Sequence, residues 1–149
     1  SVFSIDLSRE KLTSIPSIVY RFTEIKTLNL SKNKIELLGD SILVFKHLET
    51  LNLTKNKMYS IPFAIFQLST LRQLLLAENH IERIPNEIEQ LTALETLDLS
   101  VTTVMAGVEA EAMEDDGREA YQRRWAKARL AWAILWVSSF FFTTPPVLL

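Results

Sequence analysis

The stretch IKTLNLSKNKI, Ile25 to Ile35, decides the fold, because the same phrase returns every 23 residues. Upstream it reads VFSIDLSREKL from Val2; downstream it reads LETLNLTKNKM from Leu48, LRQLLLAENHI from Leu71 and LETLDLSVTTV from Leu94. A fixed period of this length marks a stack of repeated units, each one supersecondary element long. Around Leu28 and Leu30 apolar and polar residues alternate, which is the period of a short half-buried strand. The second half of each unit turns at Ile15-Pro16, Ile61-Pro62 and Ile84-Pro85, with Leu38-Gly39 as the departure. Apolar residues follow at Val19, Ile42, Ile65 and Ile88, then at Phe22, Phe45, Leu68 and Leu91. Each unit is therefore strand, turn and return, and its apolar side chains cannot by themselves offset the entropy of ordering it. Stacking supplies the missing burial, and neighbouring strands complete each other's backbone hydrogen bonds.

These residues resemble leucine-rich repeats, whose pattern L-x-x-L-x-L-x-x-N-x-L is filled at its apolar positions in every unit over about residues 1 to 100. The I-P turn is similar to the 23-residue subtype. The resemblance implies an α/β solenoid: a short parallel β-sheet on the concave face, irregular or helical return segments, and four full repeats with a partial fifth over residues 1–105. Asn33, Asn56 and Asn79 fill the Asn position, where an amide that both donates and accepts can satisfy turn backbone inside the stack. Glu10 and Thr102 stand there in the first and fifth units.

In such a stack the residues between the buried leucines face outward and align into stripes. One stripe is Ser4, Thr27, Thr50, Gln73 and Thr96; the next is Asp6, Asn29, Asn52, Leu75 and Asp98; a third is Ser8, Ser31, Thr54, Ala77 and Ser100. This surface is rich in short hydrogen-bonding side chains, and Leu75 is the apolar break in its stripe, beside Ala77. Basic pairs follow at Arg9 and Lys11, Lys32 and Lys34, Lys55 and Lys57, ending at Glu78 and His80. The expected binding residues are Thr27, Asn29, Lys32, Thr50, Asn52, Lys55, Gln73, Leu75, Ala77, Thr96 and Asp98, presented to a protein or peptide partner. The basic pairs read first as a solvated face and second as a rim that steers an acidic partner. No aromatic residue interleaves with them, which argues against nucleic acid, as does a net charge of -2.

Little in the chain points to catalysis. His47 and His80 are the two histidines, and neither is placed by motif beside a carboxylate or hydroxyl to form a relay. Three glycines cannot build a phosphate-cradling loop, and no metal-ligand spacing occurs, so the expectation is no enzyme, no cofactor and no metal. The absence of cysteine removes disulfides and makes a reducing compartment the simpler reading. The triplets Asn29-Leu30-Ser31 and Asn52-Leu53-Thr54 match glycosylation acceptors, but the repeat wording generates them whenever its middle polar residue is Asn. Ser1 in place of Met, with no leader behind it, reads as a fragment or processed product.

Beyond Ser100 the period vanishes. Residues 106–117 are acidic and small and read as a linker; residues 118–149 read as a helix to about residue 137, with an aromatic stripe at Tyr121, Trp125, Trp132 and Trp136, followed by an apolar tail. Residues 130–149 carry no charge and follow Arg123, Arg124, Lys127 and Arg129. A cap on the open end of the stack is preferred, with membrane attachment as the first alternative and a disordered or artificial tail as the second: the strongly apolar run ends at Phe142, short of the ~20 residues a spanning helix needs. The functional expectation is a cytoplasmic scaffold or adaptor similar to intracellular leucine-rich-repeat proteins of signalling, against a membrane-tethered or extracellular recognition protein. Oligomeric state is not legible in the sequence.

Overall fold

The computed structural model describes residues 2–100. The linker, C-terminal helix, apolar tail and Thr102 expected from the sequence lie outside the described residues. Five parallel strands form one sheet in chain order: β1 Ser4–Asp6, β2 Thr27–Asn29, β3 Thr50–Asn52, β4 Gln73–Leu75 and β5 Thr96–Asp98. Each strand pairs with the next at a register of one repeat, so Leu28 opposes Leu51 and Leu51 opposes Leu74. The solenoid and its short parallel sheet are thus as the period predicts.

Three residues per strand would give a weak sheet, but the inter-coil ladder continues past both strand ends. On one side the Glu49 and Arg72 amides donate to the Lys26 and Glu49 carbonyls at 2.8 Å. On the other, Leu30 and Lys32 donate to the Asn52 and Thr54 carbonyls, also at 2.8 Å. Return segments are short 3-10 turns, Ser17–Arg21, Asp40–Val44, Phe63–Gln67 and Asn86–Gln90. Each starts from the carbonyl of the residue at the turn position: Pro16, Gly39, Pro62 and Pro85 accept from Val19, Ile42, Ile65 and Ile88. That residue needs only extended backbone and a free carbonyl.

Gly39 meets this need with φ -83 and ψ 174, without using any of glycine's special freedom, and a Cβ there would meet nothing within 4 Å. Gly39→Pro, matching the three sister coils, is therefore expected to stabilise the protein by about 0.5–1 kcal/mol through the unfolded chain, read as a higher urea midpoint at unchanged m-value.

The core is a column of leucine and isoleucine running through the stack. Leu28, Leu51 and Leu74 from the strands, Leu30, Leu53 and Leu76 just after them, and Ile42 and Ile65 from the return turns are all fully buried. Each buried Asn bridges two coils. The Asn56 carbonyl oxygen accepts the Ile35 amide at 3.0 Å, and its Nδ2 donates to the Leu30 and Leu53 carbonyls at 3.0 and 2.9 Å. Asn33 and Asn79 repeat the pattern one coil before and one coil after. The Asn position is structural throughout the described coils that carry it.

Candidate functional site

The sheet brings the first two stripes together as expected. Thr27, Thr50, Gln73 and Thr96 are register partners, as are Asn29, Asn52, Leu75 and Asp98. Neighbours in a stripe lie about 4.8 Å apart, the spacing of hydrogen-bonded strands. Gln73 is exposed and the other seven are half-buried, so their outer atoms form one continuous wall.

Much of the second stripe is also structural. The side-chain oxygens of Asp6, Asn29, Asn52 and Asp98 accept the amides of Ser8, Ser31, Thr54 and Ser100 at 2.9–3.0 Å. Each closes an Asx turn that ends its strand. For Asp6 the Ser8 amide, then the Ser8 hydroxyl, hold the carboxyl below its usual range, with the Asn29 amide adding to the effect. A folded value below the unfolded one means that this contribution is present at neutral pH and fades as pH falls through the acidic range. Leu75 cannot make the turn, so an apolar side chain stands where four sister coils carry a strand-ending polar one.

Ala77 corrects the sequence expectation. It is 5% exposed, and Ser31 and Ser100 of the same stripe are also buried. The strands end at the second stripe, so alternation cannot be extended to the third. Beyond the strand the chain turns inward, and the Ala77 carbonyl accepts from the Lys55 amide at 2.8 Å and the Asn79 Nδ2 at 3.3 Å. Ala77 belongs to the stack and offers a partner little surface.

Lys32 and Lys55 do reach solvent. Both adopt left-handed backbone, φ 59 and 58, as do Arg9 and Glu78 at the same position of their coils. This conformation costs a non-glycine residue about 1–2 kcal/mol. The inter-coil hydrogen bond from each amide holds the bend in place, helped at Lys32, Lys55 and Glu78 by the Asn that follows. Lys55 pairs with Glu78 of the next coil at 3.7 Å.

A second charged row escaped the sequence reading. Lys26, Glu49, Arg72 and Glu95 occupy one position of successive coils, just before the strands. Lys26 pairs with Glu49 at 3.0 Å, and Arg72 Nε donates to Glu95 at 3.0 Å with Nη2 on the same oxygen. Glu95, and secondarily Glu49, raise the Arg72 guanidinium above its ordinary value. The signal was available as charges of alternating sign every 23 residues.

His47 sits 3.6 Å from Glu24 on the surface, and the His80 ring stacks on Tyr59 at 5.3 Å. Neither touches a hydroxyl nucleophile in these contacts. Among the described residues no three His, Asp or Glu side chains gather as a metal site requires. Among them, too, no helix is long and apolar enough to cross a membrane.

A family model described as a leucine-rich repeat region matches residues 5–113. No curated protein matches the sequence. Among solved structures, a leucine-rich-repeat protein of Leptospira interrogans is similar with a TM-score of 0.63 and 28% identity, over 82% of this chain and 36% of that one. PEPR1-AtPEP1 is similar with a TM-score of 0.58 and 27% identity, over 69% and 15%. An internalin of Listeria monocytogenes, at a TM-score of 0.52 and 24% identity over 60% and 25%, shares the fold. The chain thus spans well under half the length of each of these three.

Proposed function

This chain belongs to the leucine-rich-repeat family, and on that premise we propose that its concave sheet is a non-enzymatic binding surface for a protein or peptide. The observation that carries the reading is Leu75. Four strands place Asp or Asn at this register and use it to end the strand; the fourth coil gives up that turn and presents a leucine in the middle of a polar wall. Thr27, Thr50, Gln73 and Thr96 beside it supply hydrogen-bonding groups of low charge. An apolar anchor ringed by adaptable polar contacts is the usual anatomy of a binding hot spot. The PEPR1-AtPEP1 structure, which joins a similar solenoid to AtPEP1, supports a partner of the same class.

The finer reading is a scaffold or adaptor in intracellular signalling, located in the cytoplasm. A sequence without cysteine suits a reducing compartment. Fractionation of cells expressing the full chain tests this, and recovery in the membrane fraction would contradict it.

The surface itself is tested by selecting peptides from a displayed random library on the full chain. Leu75→Asn is the informative variant, because Asn29 and Asn52 show that asparagine fits this register and closes the Asx turn. It is expected to leave the melt unchanged or slightly raised, while weakening the selected peptides about tenfold or more, as loss of a buried apolar anchor should. Selected peptides that bind the variant as tightly as the parent would refute the concave-face reading.

A further inference from the structure

We propose that the edge of the sheet following the strands in the first three coils, with the apolar side chains next to it, is a second binding surface. Its partner is an acidic protein segment that carries an aromatic or aliphatic residue. The surface is distinct from the concave wall and does not rest on Leu75.

The geometry begins at the buried asparagines. Asn33 and Asn56 point into the stack, and the residues on either side of each are forced outward. Lys32 and Lys55 leave through a left-handed bend whose amides bond to the next coil, whereas the Lys34 and Lys57 amides bond back to the coil before, at 2.7 and 2.9 Å. Arg9 and Lys11 complete the row in the first coil, so six exposed cations line one edge. Glu10 is interspersed among them, exposed Glu36 and Asp40 hold in the second coil the repeat positions of Tyr59 and Phe63, and Glu78 opposes Lys55 from the fourth coil. Among the described residues no carboxylate pairs with Arg9, Lys11, Lys32, Lys34 or Lys57.

The opposite edge is built differently. There Lys26, Glu49, Arg72 and Glu95 alternate in sign and pair across coils. Among the described residues, the stack that pairs the charges of one edge pairs only Lys55 of the six cations on the other, in a chain whose net charge is -2. Like charges repeated at the coil spacing of about 5 Å sum to a local positive potential that selects carboxylates.

Large apolar side chains follow these cations in the chain, Leu37 after Lys34 and Tyr59 and Phe63 after Lys57. Leu37, Tyr59 and Phe63 are 66%, 62% and 59% exposed, on the second and third coils. The Tyr59 ring lies against His80, which holds the rim position of the fourth coil, so aromatic surface meets the end of the basic row. Phe63 stands edge-on to the buried Phe66, which fixes its ring at the surface. No aromatic residue stands between the cations themselves, as a platform for stacked bases would need.

The test is fluorescence anisotropy on the full chain with a short labelled peptide of alternating Glu and Ser around one Trp. Control peptides replace each Glu by Gln, or the Trp by Ser. The acidic Trp peptide is expected to bind most tightly and to weaken as salt rises. Lys32→Glu with Lys34→Glu is expected to lower its affinity about tenfold or more. Tyr59→Ser with Phe63→Ser should abolish the advantage of Trp over Ser. Glu78 shows that glutamate tolerates the left-handed position, and circular dichroism checks the fold of each variant. Lys46→Glu, away from the basic row, is expected to leave binding of the acidic Trp peptide unchanged, and Leu75→Asn, whose loss is confined to peptides held on the concave wall, does not weaken it. Equal binding of the Gln peptide, an equal loss in Lys46→Glu, dependence on Leu75, or tighter binding of single-stranded DNA of the same length would each overturn the proposal.

Discussion

Asn56→Ala is expected to destabilise the protein by about 3–5 kcal/mol, measured as a fall in the urea midpoint of the full chain. Three buried groups lose their partner at once: the Ile35 amide and the Leu30 and Leu53 carbonyls. Leaving a buried donor or acceptor unmade costs about 1–3 kcal/mol, against a total stability of about 5–15 kcal/mol for a domain. Two of the three groups lie in the preceding coil, so the damage falls on the contact between coils. Asn33→Ala should cost less. Its carbonyl oxygen serves the amides of Glu10 and Leu12 in the first coil, where the surroundings are more open and water can replace the lost bonds. Equal effects at the two positions would mean that the asparagines stabilise their own turns rather than the joint between coils.

Phe45→Ala is expected to cost a further about 3–5 kcal/mol, the range for emptying a buried phenylalanine site. Phe45 is fully buried and stacks on Tyr20 of the preceding coil at 5.7 Å. Burial in turn pushes the Tyr20 phenol up. Phe22 has the same residue type and repeat position, yet it is 39% exposed, because no described coil lies before it to receive the ring. Phe22→Ala should therefore cost less than about half as much. A matched pair of urea titrations decides the point, and comparable losses would show that the first coil is covered in solution.

Much of this was legible in the chain. Leu28, Leu51, Leu74 and Leu97 are buried as strict alternation requires, and Asn33, Asn56 and Asn79 bridge coils as their position predicts. The concave stripes through Thr50 and Asn52 stand in the expected register. A period of two puts Ala77 on the wall, but the strand ends at Leu75 and Ala77 is buried. The Asx turns were hidden in the triplets Asn29-Leu30-Ser31 and Asn52-Leu53-Thr54, which in this fold mark a side chain bonded to the amide two residues on. A local backbone change, from extended to left-handed within three residues, overrides the alternation that puts Ala77 outside.

By itself the sequence determined the coil. Its period set the length of each turn of the stack, and its alternation set which side chains point inward, because both depend on backbone geometry within a few residues. Only the tertiary structure decided which of two equivalent residues is covered and which charges are compensated. Among the described residues Phe45 is buried and Phe22 exposed, Arg72 is paired and Lys34 is not, and each outcome rests on what stands 23 or more residues away. Burial and ion pairing are set by what stands across the gap between coils, and no window of sequence as short as one strand contains both sides of that gap.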